Sequence, residues 1–95
     1  MLENNYQFAL KKKLQKIFPG CIVLKNDAQL HQGIPDLLIL YNDKWAALEV
    51  KKSENSPHRP NQDYHVQKMH DMSYAAFIYP ENEELIFSEL KEVFR

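Results

Sequence analysis

The spacing of apolar residues predicts that the first two elements are a helix and a strand. Apolar residues recur at intervals of three and four over residues 2–18, which is the spacing of one helix face. The positions on that face are Leu2, Tyr6, Ala9, Leu10, Leu14, Ile17 and Phe18. Pro19 and Gly20 end this helix, and the short β-branched run 21–24 predicts the first strand.

Two apolar runs, 36–41 and 44–51, flank Asn42 and Asp43 and predict a β-hairpin. Asn and Asp tolerate the left-handed backbone conformation that two-residue turns require. Apolar side chains occupy both faces of both runs, whereas a strand at a surface alternates apolar and polar residues. We therefore expect the hairpin at the centre of a sheet that is covered on both sides.

The second half of the chain supplies the remaining elements. Residues 52–60 are polar and contain two prolines, which predicts a surface loop. A helix over 61–72 and a strand over 74–79 follow, and 81–95 is predicted to be helical at least from Ser88, a suitable N-cap residue; the pattern at 85–87 fits helix or strand. The order α-β-β-β-α-β-α is typical of an α/β fold with a central mixed sheet flanked by helices.

Composition excludes several classes of protein. A hydrophobic share of 44% and a charged share of 26% are ordinary for a globular domain, and 95 residues suit a single domain over 1–95. No apolar run reaches the ~18 residues of a membrane span. One cysteine, Cys21, excludes an internal disulfide framework and a multi-cysteine zinc site, and two glycines leave no Gly-rich phosphate loop. We expect a cytosolic protein that has no membrane partner and no organic cofactor.

The distribution of charge says more than the net charge of -1. Residues 1–70 carry 10 Lys and Arg against 7 Asp and Glu, whereas residues 71–95 carry 2 against 6. A site for a polyanion is therefore expected in the first seventy residues. The candidate DNA contacts are Lys11, Lys12 and Lys16 on the first helix and Lys52, His58 and Arg59 in the loop. The alternative is that both groups are only solvated surface.

The hairpin brings two carboxylates together. A two-residue turn pairs Tyr41 with Lys44, and the same register places Asp36 opposite Glu49. Directly opposed side chains have Cβ atoms ~5 Å apart, and two carboxylates at that separation repel each other unless a cation lies between them or one is protonated. Lys51 shares the face of Glu49 because side chains alternate along a strand. Such a cluster suits Mg²⁺ or Mn²⁺; the alternative is a surface ion-pair cluster.

Three short motifs resemble those of the PD-(D/E)XK nuclease superfamily. They are Gly33-Ile34-Pro35-Asp36, then Glu49-Val50-Lys51, then Gln62 at the start of a helix. More narrowly, the chain resembles the virus-type replication-repair nuclease (VRR-NUC) domains that occur alone in phages and bacteria, and the resemblance covers nearly its whole length. It implies a restriction-endonuclease-like core and a metal-dependent DNA endonuclease in the cytoplasm of a bacterial cell or a phage-infected host.

The resemblance also implies a catalytic or metal-binding role for several residues. Asp36 and Glu49 are implied as ligands of Mg²⁺ or Mn²⁺, together with the main-chain carbonyl of Val50, and Lys51 is implied as the catalytic lysine. Gln62 faces inward near the start of its helix, where it either hydrogen-bonds Lys51 or the attacking water, or caps the helix backbone.

Two further expectations come from the same resemblance. Many relatives carry another glutamate on the first helix, which makes Glu3 a further candidate ligand here. Relatives that resolve DNA junctions work as dimers, which implies a homodimer that cuts branched DNA such as Holliday junctions. The alternatives are a catalytically idle nucleic-acid- or protein-binding module of the same fold, and a less structure-selective nuclease subunit of a replication or recombination complex.

Overall fold

The structure, a computed structural model, describes residues 3–27 and 32–95, so the predicted helix position Leu2 lies outside the described residues. The elements are α1 (Glu3–Ile17), β1 (Ile22–Lys25), β2 (Leu37–Tyr41), β3 (Lys44–Val50), α2 (Pro60–Met72), β4 (Ala75–Ile78), a 3₁₀ turn (Pro80–Asn82) and α3 (Glu83–Val93). Their order is the one that the sequence predicts. Within the described part of the chain, no helix is both long and apolar enough to cross a membrane.

The four strands form one mixed sheet in the order β1-β2-β3-β4. β1, β2 and β3 are antiparallel neighbours, and β4 joins β3 in parallel because α2 carries the chain back between them. Helices α1 and α3 pack on one face of the sheet, and α2 packs on the other. The predicted mixed sheet flanked by helices is therefore confirmed.

The β2–β3 hairpin has the predicted turn and register. Asn42 adopts the left-handed conformation that the turn requires, with φ of 56°. The paired ladder ends with Leu37 opposite Leu48. Asp36 and Glu49 follow directly, so the same register delivers both carboxyl groups to the open end of the hairpin.

Helix α1 packs on the sheet mainly as its spacing predicts, through Tyr6, Leu10 and Leu14. Ala9 was expected on the same face but is exposed, and Gln7 is buried instead. The reason is angular: Ala9 lies about 100° around the helix from Leu10, outside the narrow stripe that the core covers.

Helix α3 begins before Ser88, the residue that the sequence suggests as its N-cap. It starts at Glu83, so 85–87 are helical and Ser88 lies in the helix interior; the predicted N-cap is wrong. The 3₁₀ turn that starts at Pro80 leads directly into α3, and the Asn82 side chain bonds backbone groups at the end of β4. This turn sets the start of the helix. Helix α3 ends at Val93, two residues before the predicted end, and the other described boundaries lie within one residue of the predicted ones.

Candidate active site

Asp36 is fixed at the start of β2 by the backbone of β3. Its Oδ2 accepts a hydrogen bond of 2.9 Å from the Val50 N–H. Continuing the hairpin register would pair Val50 with Pro35, which has no N–H to donate. The Val50 carbonyl points to the same side of the strand as its N–H. The carbonyl therefore faces the Asp36 side of the site, and the position opposite it in β2 offers it no ladder donor.

Glu49 lies beside Asp36 and is nearly sealed from solvent, with 3% of its surface exposed. Burial, followed by the negative charge of Asp36 and a hydrogen bond between the two carboxyl groups, raises the pKa of Glu49 to about 8. The Lys51 ammonium, 4.0 Å from Glu49 Oε2, opposes this rise, and the charge of Glu3 adds to it. The two neighbouring carboxyl groups therefore do not readily ionise together without a cation.

Lys51 and Gln62 are joined in one hydrogen-bonded set. The Lys51 ammonium donates to Gln62 Oε1 at 2.8 Å and to the Pro57 carbonyl at 3.1 Å. Gln62 Nε2 donates to Glu49 Oε2 at 3.2 Å, and Gln62 Oε1 also accepts the Arg59 N–H at 3.1 Å. Gln62 thus meets both alternatives left open by the sequence, because it bonds Lys51 and also caps the start of α2.

These side chains line one open cavity of about 570 Å³. Its acidic members are Glu3, Asp36 and Glu49. Its basic members are Lys51, Lys52 and Arg59, and His58 also lines it. Glu3, predicted as a further candidate ligand, therefore reaches the same cavity from α1.

The donor chemistry of this cavity fits a hard divalent cation. Within residues 3–27 and 32–95, no group of three or more His, Cys, Asp or Glu is clustered closely enough to hold a metal by itself. The donors close together are the carboxylates of Asp36 and Glu49, with the Val50 carbonyl facing the same side. Mg²⁺ commonly binds through one or two carboxylates and completes its shell with water and substrate phosphate oxygens, so this smaller donor set suffices.

Comparison with known proteins settles which fold this is. A solved structure described as "VRR_NUC domain" matches with a TM-score of 0.70 and 23% identity, covering 98% of this chain and 97% of the other. This chain has the fold of a VRR-NUC domain. A second, described as "VRR_NUC domain protein", matches with a TM-score of 0.69 and 16% identity, covering 98% of this chain and 88% of the other. No protein-family model matches the chain, and no curated protein matches it.

The candidate DNA contacts lie in two places on this VRR-NUC fold. Lys52, His58 and Arg59 line the cavity itself. Lys11, Lys12 and Lys16 are exposed on α1, outside it. An adjoining cavity, also lined by Glu3 and Asp36, runs along α1 past Gln7, and a third continues from Gln7 to Lys11. The neighbouring Lys13 is engaged elsewhere, because its ammonium pairs with Glu83 of α3 at 2.7 Å.

Sequence reasoning missed the groups that hold His58. His58 Nδ1 lies 3.1 Å from Asp63 Oδ1, and its ring stacks on Phe77. The spacing from His58 to Asp63 crosses from a loop into a helix, so it predicts no contact. Phe77 lies on β4, which pairs it with Glu49. Only the parallel β3–β4 pairing would have placed Phe77 beside the site.

Proposed function

We propose that this protein is a divalent-metal-dependent endodeoxyribonuclease of the VRR-NUC type, which hydrolyses phosphodiester bonds. The observation that carries the proposal is the connected set Asp36, Glu49, Gln62 and Lys51 at one end of a buried hairpin. A structural ion pair needs one carboxylate for one lysine. A second carboxylate buried beside the first destabilises the fold unless a bound cation offsets the repulsion, so its presence supports a metal-binding role.

Mg²⁺ or Mn²⁺ is the cofactor that this set would hold. Asp36 and Glu49 would bind it with the Val50 carbonyl, and Glu3 is the candidate further ligand. Such a cation, when bound, polarises a phosphodiester oxygen and lowers the pKa of a bound water.

Lys51 supplies the positive charge of the site. Its ammonium has three N–H groups, and the Gln62 and Pro57 oxygens accept two of them. The third N–H is left for the substrate, where it either orients the attacking water or stabilises the charge that grows on the phosphate in the transition state. Gln62 acts through Lys51 and Glu49 and is therefore a positioning residue.

DNA binding is proposed to rest on a few local contacts, because the net charge of the chain is -1. Lys52, His58 and Arg59 would bind phosphates at the cavity. Lys11, Lys12 and Lys16 would follow the backbone along α1, in the direction of the adjoining cavities.

The proposed substrate is branched DNA such as a Holliday junction, cut by a homodimer. One chain has one site and cuts one strand, whereas resolving a four-way junction needs two symmetric cuts, which a two-fold dimer supplies. The edge strand β1 supports a partner surface, since Ile22 and Leu24 are 54% and 45% exposed there.

Cleavage of labelled DNA tests this proposal. Junction, flap and linear duplex substrates are incubated with Mg²⁺, with Mn²⁺ or with EDTA, and light scattering measures the oligomeric state. We expect metal-dependent cleavage that is fastest on the junction, by a dimer. A monomer that cuts linear duplex equally well contradicts the junction selectivity alone. DNA binding without cleavage in either metal contradicts the nuclease and supports the idle binding module.

A further inference from the structure

The imidazole of His58 is held on its face and at one edge. Its ring is stacked on the Phe77 ring, with centroids 3.9 Å apart and planes 14° from parallel. Its Nδ1 lies 3.1 Å from Asp63 Oδ1. Nε2, the other polar atom of the ring, has no partner within residues 3–27 and 32–95. A residue from a polar surface loop is thus given one orientation at the wall of the catalytic cavity.

The two groups that hold this ring belong to the elements that build the site. Asp63 follows Gln62 in the first turn of α2, so one helical turn orients both Lys51 and His58. Phe77 pairs with Glu49 across β3 and β4. The position of the imidazole is therefore coupled to that of the carboxylates, although its own loop is polar.

The bond to Asp63 decides what Nε2 is able to do. A carboxylate accepts at Nδ1, so Nδ1 carries a hydrogen. In the neutral ring Nε2 is then an acceptor, which repels a phosphate oxygen, whereas in the imidazolium ion both nitrogens donate. Histidine is the side chain whose charge ordinarily changes between about pH 5 and pH 8. A phosphate at this wall is therefore bound by the protonated ring.

Fixed charges of both signs share the cavity with His58. The cations are Lys51, Lys52 and Arg59, and the carboxylates are Glu3, Asp36 and Glu49. Asp63 on α2 is the charge in direct contact with the ring, and Phe77 on β4 brings none. Lys and Arg keep their charge across the neutral range, so they add affinity without making it depend on pH there.

We propose that His58 binds a DNA phosphate as an imidazolium ion, positioned by Asp63 and Phe77, and so makes DNA binding at this site depend on protonation. The inference rests on the proposed function, because its ligand is the phosphate of the DNA substrate. His58 contacts the substrate, whereas Asp63 and Phe77 act through it as positioning residues.

Equilibrium binding without turnover tests this inference. The background is Glu49→Gln in EDTA, which removes cleavage and also removes the Glu49 carboxyl, whose raised pKa would add its own pH dependence. The probe is a short fluorescein-labelled DNA duplex. We expect its affinity to fall about tenfold from pH 6 to pH 8, the scale of one charge-assisted hydrogen bond. Adding His58→Gln should give weak binding that is equal at both pH values. A pH dependence that survives His58→Gln overturns the inference.

A pair of charge-matched variants tests the positioning by Asp63, and it applies even where His58→Gln does not fold. Asp63→Ala and Asp71→Ala each remove one negative charge from α2, but Asp63→Ala also removes the oxygen that accepts the His58 Nδ1 hydrogen, whereas Asp71 accepts a hydrogen bond from the exposed Gln67 at 3.0 Å. General electrostatics predicts that both variants bind DNA more tightly. The inference predicts that Asp63→Ala loses much of the pH dependence while Asp71→Ala keeps it. Identical behaviour of the two contradicts it.

Failure of this inference is distinguishable from failure of the proposed function. Wild-type protein that cleaves DNA with Mg²⁺, but whose Glu49→Gln variant binds equally at pH 6 and pH 8, overturns only the role of His58. Protein that neither binds nor cleaves DNA overturns both.

Discussion

The backbone N–H of Val50 donates a hydrogen bond of 2.9 Å to the carboxylate of Asp36. The bond is available because Pro35 stands where the next ladder partner of Val50 would be, and the Pro35 carbonyl is itself bonded by the Asn26 side chain at 2.6 Å. A proline at the start of β2 thus converts an ordinary strand end into an anchored carboxylate. That carboxylate lies beside Glu49, at the end of the strand that leads into Lys51.

Loss of the Asp36 carboxylate should abolish metal binding. Calorimetric titration with Mn²⁺ is expected to give a clear binding signal for wild-type protein and none for Asp36→Asn, because one of two neighbouring carboxylate ligands is gone. Asp43→Asn is the matched control, since this substitution removes the same charge from the exposed hairpin turn. Unchanged Mn²⁺ binding in Asp36→Asn would show that Asp36 is not a ligand.

Loss of the Lys51 ammonium should affect the rate far more than metal binding. Lys51→Ala is expected to bind Mn²⁺ but to cleave at least ~10²-fold more slowly, the scale for removing a group that stabilises the transition state. Lys44→Ala, at the exposed start of β3 and away from the cavity, should cleave at the wild-type rate. Near wild-type turnover in Lys51→Ala would make this lysine a mere ion-pair partner of Glu49.

Without metal, the protein should become less stable as the pH rises towards about 8. The folded-state pKa of Glu49 is raised from 4.5 to about 8, so between those values the folded protein holds a proton that the unfolded chain has lost. The free energy of unfolding then falls with rising pH, by at most about 1.4 kcal/mol per pH unit for one group, and levels off above pH 8.

Urea unfolding in EDTA between about pH 6 and pH 9 measures this dependence. Glu49→Gln should flatten the curve because it removes the titrating carboxyl, and excess Mg²⁺ should raise the stability of the wild type most at the high end. A wild-type curve parallel to that of Glu49→Gln would contradict the raised pKa.

DNA affinity should depend only moderately on salt. A chain with net charge -1 must bind DNA through a few local cations, so the slope of log K against log salt is expected to be roughly -3 to -5 per subunit. Fluorescence anisotropy of the Glu49→Gln variant over a range of NaCl concentrations gives this slope. A slope near -10 per subunit would reveal a basic surface that the Lys11–Lys16 helix and the cavity do not account for.

The pairing of Asp36 with Glu49 was predictable because it depends on local rules alone. The Asn42-Asp43 turn fixes the register, and alternation along β3 does the rest. The contact of Gln62 with Lys51 was predictable only as one of two alternatives, because it depends on how α2 packs against the sheet.

Other features depend on packing that the sequence does not encode locally. The contacts of His58 with Asp63 and Phe77 depend on both the path of the 51–59 loop and the parallel pairing of β3 with β4. Burial of Gln7 in place of Ala9 depends on where the core stripe of α1 falls. The start of α3 at Glu83 depends on the 3₁₀ turn at Pro80. The sequence pattern favours Ser88 as the N-cap instead.

Cleavage of end-labelled DNA by wild-type protein and by Glu49→Gln, purified in parallel, tests the central claim most directly. The claim is that this VRR-NUC fold hydrolyses DNA with a divalent cation held by Asp36 and Glu49. It predicts that wild-type protein cleaves with Mg²⁺ and not with EDTA, and that Glu49→Gln, although folded and able to bind the DNA, cleaves in neither. Equal cleavage by the two proteins, or wild-type cleavage that persists in EDTA, would contradict it.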